Sequence, residues 1–164
     1  RRLLRQNEVP RRAVHRGDAL QTDSSIRAEV LSPPGRSRLA TENNASVVLR
    51  VEYGDVNILL PGDIEKAIEQ NLARTYGEEL LGHVVKVPHH GSETSSRPSF
   101  VRSASDSTQT HAVVSVGRSS RYGMPDASII RRWRQEATQV HSTADRGAVW
   151  MRTDGEEVWR LQWQ

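Results

Sequence analysis

The sequence predicts a mixed α/β fold in which helices pack on the outside of β-sheets. Its first half contains strand-like segments separated by turn residues, whereas its second half alternates strand-like segments with amphipathic helices. The chain has 164 residues, of which 35% are hydrophobic, and this is enough for one globular domain with a core. No apolar run approaches the roughly 18 residues that a membrane-spanning helix needs.

The first half is expected to form paired strands because apolar and polar residues alternate along it. Ile26, Ala28 and Val30 alternate with charged residues, which is typical of a half-buried strand. Gly54-Asp55 predicts a tight turn between two further strands. The predicted elements are the end of a helix at 1–8 and strands at 11–15, 25–31, 45–53 and 56–60.

The spacing of apolar residues changes to that of a helix after the last of these strands. Ile64, Ile68 and Leu72 fall on one face of a helix over residues 64–76. The charged residues expected on the opposite, solvated face are Glu65, Lys66, Glu69 and Arg74. The later predicted elements are strands at 84–87, 111–116, 138–142, 147–152 and 158–163, and helices at 98–105 and 126–136. The tryptophans expected in the core are Trp133, Trp150, Trp159 and Trp163.

Two of the predicted strands end abruptly in polar residues that can bind a metal ion. Pro61-Gly62 ends the strand at 56–60 and precedes Asp63, while Pro88 ends the strand at 84–87 and precedes His89 and His90. Side chains just past strand ends can face a shared cleft. A carboxylate and an imidazole placed in this way are suitable ligands for zinc or manganese. The chain has no cysteine, so His, Asp or Glu must hold any metal.

Each of these residues also has a purely structural interpretation. Asp63 is either a metal ligand or the N-cap of the helix at 64–76. Neighbouring histidine side chains diverge, so one of His89 and His90 is expected to coordinate and the other to form a hydrogen bond or meet substrate. His89 is slightly favoured as the ligand because it lies nearer the strand. The histidines expected to be structural or at the surface are His15, His83, His111 and His141.

Arginine is concentrated at the start of the chain. Residues 1–50 contain ten Arg and five acidic residues, whereas the net charge of the whole chain is only +3. One interpretation of this arginine cluster is a surface that contacts phosphates. The other is a general preference of the sequence for Arg over Lys, since Lys66 and Lys86 are the only lysines. The crowded positions are Arg1, Arg2, Arg5, Arg11, Arg12 and Arg16.

An ordered set of motifs carries a family resemblance. The chain contains Asn44-Ala-Ser46-Val-Val-Leu, then Leu59-Leu-Pro-Gly-Asp63-Ile-Glu, then Lys86-Val-Pro-His89-His90-Gly-Ser-Glu-Thr-Ser-Ser. Val114 to Gly117, Tyr122-Gly123 with Pro125, and Thr143 with Gly147 to Val149 follow in the same order. From about Gly17 to its end, the chain resembles the metallo-β-lactamase-like domain of ComEC-type DNA-uptake proteins.

The resemblance implies an αββα sandwich that binds one or two zinc or manganese ions at its sheet edges. Asp63, His89 and His90 are then expected to be metal-binding and catalytic residues. In this fold a His-x-His-x-Asp-His motif supplies most ligands, and that motif does not occur in the chain. Residues 1–164 are therefore expected to be the second half of the domain, inactive alone, with the missing ligands upstream. Ser92, Thr94, Ser95 and Ser96 are expected either to donate to phosphate oxygens of the substrate or to form turn hydrogen bonds. Gly91 is expected to let the substrate approach the backbone closely.

The function that the resemblance implies is that of a nuclease. The family's domain is thought to degrade the DNA strand that a membrane channel does not transport. The expected partners are single-stranded DNA, the remainder of the parent channel protein and other competence proteins, at the extracytoplasmic side of a bacterial plasma membrane. The alternatives are an inactive DNA-binding or scaffolding module and a hydrolase of another substrate class, such as a phosphocholine esterase or lactonase.

Two positions depart from the pattern of the family. Ser32-Pro33 stands where many relatives have a metal-binding His, and Met124 stands where the usual Tyr-Gly-His-Pro element has its His. A thioether is a poor ligand for a hard divalent ion and cannot transfer protons. Any role that this His has in relatives is therefore expected to be lost or moved elsewhere.

Overall fold

The computed structural model describes residues 6–10, 12–20, 25–35 and 41–162. Seven strands form one sheet in which spatial order follows chain order. The first four strands pair antiparallel and the last four pair parallel. The strands are β1 (Ala19–Leu20), β2 (Ile26–Ser32), β3 (Val48–Tyr53), β4 (Val56–Leu60), β5 (Val84–Lys86), β6 (His111–Val114) and β7 (Gln139–Ser142).

Helices join the parallel strands, as the sequence predicts, so the mixed α/β class is confirmed. None of the helices in the described part of the chain is long and apolar enough to cross a bilayer. The helices are α1 (Lys66–Tyr76), α2 (Pro98–Ala104), α3 (Ala127–Glu136) and α4 (Thr143–Arg146). A separate two-stranded sheet follows, formed by β8 (Trp150–Thr153) and β9 (Val158–Leu161).

Local sequence patterns predict most of the antiparallel half of the sheet. Strands β3 and β4 form the predicted hairpin around Gly54-Asp55, with Tyr53 opposite Val56. Strand β2 occupies the predicted segment and pairs with β3. The predicted strand at 11–15 is wrong, because residues 12–15 have no strand structure and Arg11 lies outside the described residues. Only the end of the predicted helix at 1–8, residues 6–8, lies within the described part of the chain.

The arginines at the start of the chain are only partly described. Arg16 is held by the protein itself, since its Nε donates to Leu31 O at 2.9 Å and its Nη2 donates to Asn71 Oδ1 at 2.6 Å. Arg12 is exposed and lies 3.9 Å from Asp18. Arg1, Arg2, Arg5 and Arg11 lie outside the described residues. The structure therefore assigns Arg16 a structural role.

The core lies between the parallel strands and the helices. Leu59, Val85 and Ala112 of the sheet pack with Phe100 and Trp133 in one buried cluster. Trp133 is fully buried as predicted, and its Nε1 donates to Ser96 Oγ at 3.0 Å. Full burial of such a large side chain contributes on the order of 2–3 kcal/mol.

Two of the tryptophans do not lie in the core. Trp150 and Trp159 are 48% and 39% exposed, so the prediction for them is wrong. In the register of β8 and β9, Trp150 faces Leu161 and Trp159 faces Arg152, which places all four residues on one exposed face. Successive side chains of a strand point to opposite faces of the sheet, and these four residues lie on its more exposed face. Trp163 lies outside the described residues.

Glu69 is fully buried instead of lying on a solvated face of α1. Its carboxylate accepts hydrogen bonds from Ser96 N at 2.5 Å and from Arg97 N at 2.7 Å. These donors precede α2 and have no partner within that helix, so a buried acceptor is needed. The prediction for Glu69 was wrong because its partners are nearly thirty residues away in sequence.

Burial raises the pKa of Glu69 to about 7, although the two backbone donors and the nearby charges of Lys66 and Arg132 lower it. The folded protein therefore keeps a proton on Glu69 that the unfolded chain releases above its ordinary pKa of 4.5. Stability must then fall as the pH rises through this window.

We predict that the free energy of unfolding decreases between about pH 4.5 and pH 7 through Glu69. At about 1.4 kcal/mol per pKa unit, a shift from 4.5 to about 7 makes the decrease at most about 3.5 kcal/mol. Urea unfolding at several pH values measures it, with Glu69→Gln as the variant that cannot titrate. The stability advantage of the wild type over this variant should shrink as the pH rises. The exposed Glu78→Gln variant is the control, and a pH dependence equal in all three proteins would contradict the prediction.

Candidate metal centre

The two predicted loops leave the sheet at the same edge. Strands β4 and β5 are parallel neighbours, with Leu59 opposite Val85, so the loops that follow them emerge side by side. The backbone ties the loops together, since His89 N donates to Gly62 O at 3.2 Å. Lys86 Nζ donates to the same carbonyl oxygen at 3.2 Å.

Asp63 and His90 form the closest pair of possible metal ligands. Asp63 Oδ1 lies 3.6 Å from His90 Nε2, and the two side chains are 39% and 41% exposed. Two ligand atoms that each lie 2.0–2.1 Å from a tetrahedral zinc ion are roughly 3.4 Å apart. The observed separation therefore fits two ligands of one ion with little rearrangement.

The backbone selects the tautomer of His90. Its Nδ1 lies 2.6 Å from the carbonyl oxygen of Ser115. A carbonyl can only accept, so Nδ1 carries the hydrogen and Nε2 of the neutral ring keeps its lone pair. A backbone carbonyl on the remote ring nitrogen is the usual second partner of a metal-binding histidine. His90 is therefore prepared for coordination through the nitrogen that faces Asp63.

His89 has different neighbours. Its Nδ1 lies 3.2 Å from Thr94 Oγ1 and 4.0 Å from Glu65 Oε1. The sequence slightly favoured His89 as the ligand, whereas the geometry pairs His90 with Asp63. The signal that distinguishes the two histidines is the carbonyl of Ser115, 25 residues away, which no local pattern identifies.

The backbone of the two histidines is strained. His89 and His90 have φ values of 46° and 55°, in the left-handed region that costs a non-glycine residue about 1–2 kcal/mol. Gly91 continues the turn at φ 79°, and a Cβ there would lie 2.7 Å from Pro125 Cβ. Strain of this kind persists only where the surroundings enforce it, and it is concentrated at functional sites.

The structure removes the helix-cap interpretation of Asp63. Helix α1 begins at Lys66, and Glu65 occupies the N-cap position without a side-chain cap. Asn44 and Ser46 hold this loop instead, since Asn44 Oδ1 accepts from Glu65 N at 2.9 Å and Ser46 Oγ accepts from Asp63 N at 3.2 Å. The sequence motif at 44–49 therefore serves to position Asp63.

A lysine lies against the same carboxylate. Lys86 Nζ is 3.5 Å from Asp63 Oδ1 and is partly buried. Burial lowers the pKa of Lys86, and the charge of Asp63 and its hydrogen bond oppose that shift. The ammonium group supplies a positive charge where a metal ion would also bind, so the two would compete for Asp63.

The predicted substrate-contacting residues separate into two groups. Ser92 and Thr94 lie near His89, and their hydroxyl oxygens are 3.1 Å apart. Ser95 and Ser96 are fully buried. Ser95 Oγ lies within hydrogen-bond distance of Pro88 O and Ser92 O, and these are the turn hydrogen bonds that the sequence left as the alternative. Neither buried hydroxyl can reach a substrate in this structure.

Beside His90 lies an open cavity of about 530 Å³. The loop between β6 and α3 lines it, including Met124 and Tyr122. Thr143 Oγ1 holds the base of this loop by accepting from Val116 N at 2.8 Å. Among the described residues, no group of three or more His, Asp or Glu side chains is placed to hold a metal ion. The described part of the chain thus presents a two-ligand site beside a cleft.

Curated proteins similar to this chain include competence and recombination proteins. ComE operon protein 3 of Bacillus subtilis is 32% identical over 145 residues, which are 88% of this chain and 18% of that protein. Competence protein ComA of Neisseria gonorrhoeae is 33% identical over 121 residues, 74% of this chain and 17% of that protein. Recombination protein 2 of Haemophilus influenzae is also 33% identical over 121 residues, 74% of this chain and 14% of that protein.

The chain thus spans less than a fifth of the length of these relatives. No family model and no solved structure matches the chain. The matched region includes most of the chain in each comparison, and the relatives' names agree with the resemblance that the motifs carry. Over this region, the chain belongs to the family of ComEC-type competence proteins.

Proposed function

We propose that the chain is part of a metal-dependent nuclease domain in a DNA-uptake protein. The observation that carries this proposal is the pair formed by Asp63 Oδ1 and His90 Nε2, with the tautomer of His90 fixed by Ser115 O. The proposed domain is an αββα sandwich of the metallo-β-lactamase type, of which residues 1–164 form the second half. The proposed substrate is a DNA strand that the parent channel does not transport at the bacterial plasma membrane.

In this proposal Asp63 and His90 hold zinc or manganese, together with ligands from outside this chain. A divalent ion at such a site lowers the pKa of bound water to near neutrality and offsets charge on a phosphate. Lys86 keeps the Asp63 carboxylate oriented, and Ser115 O selects the tautomer of the neutral His90 ring that has its lone pair on Nε2. His89 and Thr94, which are in contact beside this pair, are placed to bind a phosphate oxygen.

We predict that this chain alone binds zinc or manganese only weakly, with a dissociation constant above roughly a micromolar. A catalytic zinc site normally has three protein ligands, and the described residues bring two together. Isothermal titration calorimetry measures the affinity, with Asp63→Asn as the variant that should abolish the remaining binding. Stoichiometric binding tighter than a micromolar would show that the chain holds a complete site and would contradict the prediction.

We also predict that Asp63→Ala and His90→Ala each reduce nuclease activity by at least about 10²-fold in the full-length parent protein. The reason is that each change removes one ligand and with it the bound ion. His89→Ala should have a smaller effect, because His89 contacts Thr94 rather than Asp63. Manganese- or zinc-dependent release of nucleotides from single-stranded DNA measures the activity, and the metal content of each variant is measured in parallel.

His83→Gln is the matched control for these substitutions. His83 precedes β5 at the opposite end of the strand from His89, and its Nδ1 accepts a hydrogen bond from Asn57 N at 3.1 Å. The amide oxygen of Gln can replace that acceptor, so activity should stay near that of the wild type. Loss of activity in this control with the fold intact, or full activity in His90→Ala, would refute the assignment of the site.

The second candidate is a module that binds DNA or supports the transporter without catalysis. Lys86 favours it, because its ammonium group already lies 3.5 Å from Asp63 Oδ1, as an internal counter-ion would. Lys86→Met distinguishes the two functions. In a metal enzyme, this change should increase metal affinity by removing a competing cation. In an inactive module, it should leave metal binding absent and destabilise the fold, because Asp63 would lose its counter-ion.

A further inference from the structure

A surface groove rich in positive charge lies next to the candidate metal centre. It has a volume of about 690 Å³ and lies between the start of α1, the start of α2 and the first turns of α3. Its lining contains three cationic side chains, Lys66, Arg97 and Arg132, against one carboxylate, Glu93. The groove therefore attracts anions.

Hydrogen bonds fix the backbone that carries two of the cations and the guanidinium group of the third. Lys66 N donates to Thr94 O at 3.1 Å, and Arg97 N donates to the buried carboxylate of Glu69. Arg132 donates to the carbonyl oxygen of Ser96 through Nη1. Residues at the starts of α1 and α2 and one residue of α3 thus present three cations to one groove.

The groove continues to the cleft beside His90. A middle cavity of about 320 Å³ shares Glu93 and Thr94 with the basic groove. The same middle cavity shares Tyr122 and Met124 with the cavity that His90 lines. Asp126 also lines the middle cavity and adds a negative charge there, and its carboxylate accepts a hydrogen bond from Ser128 N at 2.8 Å. One continuous surface path therefore joins the three cations to the candidate metal centre.

An exposed aromatic ring stands near the other end of this path. Tyr122 is 81% exposed and lines both the middle cavity and the cavity beside His90. Rings of this kind provide stacking surfaces for bases, and only unpaired bases have a free face to stack. Cations at one end and a ring at the other are the combination that binds single strands.

We infer that this path is a binding site for single-stranded nucleic acid, with phosphates on Lys66, Arg97 and Arg132 and a base on Tyr122. The inference deepens the proposed nuclease function by assigning the track along which the substrate strand reaches the site. Binding along the track needs neither the metal nor the missing ligands. It is therefore measurable in this chain even where hydrolysis fails.

The test is fluorescence anisotropy of a labelled oligothymidylate of about 12 nucleotides with the metal-free chain, in the presence of a chelator. The triple variant Lys66→Ala, Arg97→Ala, Arg132→Ala should bind about tenfold more weakly or worse. Each lost phosphate contact also reduces the slope of log K against log salt by about 0.7 for a single strand. The triple variant should therefore lose about 2 from that slope.

The matched control removes the same charge from other exposed positions on the same three helices. It carries Arg74→Ala, Arg102→Ala and Arg134→Ala, and all three wild-type side chains are exposed outside the groove. Both its affinity and its salt slope should stay closer to those of the wild type. An equal loss in the control and the groove variant would overturn the inference, because binding would then follow total charge alone.

Two single substitutions test the parts of the track separately. Glu93→Gln should strengthen binding, because it removes the carboxylate from the basic groove. Tyr122→Ala should weaken binding about fivefold or more, because it removes the stacking surface. It should leave the salt slope unchanged, because stacking releases no counter-ions. Tyr122→Phe keeps the ring and should bind normally. Tighter binding of duplex than of single strand, or no effect of Tyr122→Ala, would overturn the inference. Binding of this kind by the chain, together with no hydrolysis of DNA by the full-length parent protein, would refute only the proposed nuclease.

Discussion

The hydrogen bonds that Glu69 accepts hold together the parts of the protein on which the rest depends. They join α1 to the loop that follows the strained histidines, because Ser96 N and Arg97 N both donate to this carboxylate. Ser96 in turn accepts from Trp133 of α3 through its hydroxyl. A single buried acid therefore connects three helices to the loop after β5, and the candidate metal centre lies at the start of that loop. The strain at His89 and His90 can persist because this anchor restrains the chain beyond them.

Most elements could be predicted because their causes are local. The hairpin of β3 and β4 depends on Gly54-Asp55 and the flanking apolar alternation. Helix α1 depends on the spacing of Ile68 and Leu72, whereas Ile64 precedes it. Predictions failed where the decisive partner is distant in sequence. Glu69 is an acidic residue in a segment with helical spacing, so its sequence predicts exposure, and only the unpaired amides of Ser96 and Arg97 explain its burial. Trp150 and Trp159 are apolar enough for a core, but their small sheet turns that face outward.

The candidate metal centre was predictable in composition but not in arrangement. Two strands that end in Pro-Gly-Asp and Pro-His-His place a carboxylate and an imidazole at one sheet edge, because parallel neighbouring strands end together. Which histidine faces Asp63 depends on the left-handed backbone of both and on Ser115 O, neither of which has a local signature. Lys86 lies only three residues before His89, but its contact with Asp63 also requires the pairing of β4 with β5.

The turn between β3 and β4 has a consequence for how the protein can change. Asp55 N donates to Gly155 O at 2.7 Å, so the turn of the large sheet rests on the turn of the small one. A Cβ at position 54 would collide with the carbonyl oxygen of Gly155. The docking of the small sheet thus depends on the absence of a methyl group. Hairpin tips are usually the positions that best tolerate inserted peptides or fusion junctions. These two tips are unsuitable for insertions because they pack against each other. A larger residue at one tip would need a compensating change at the other.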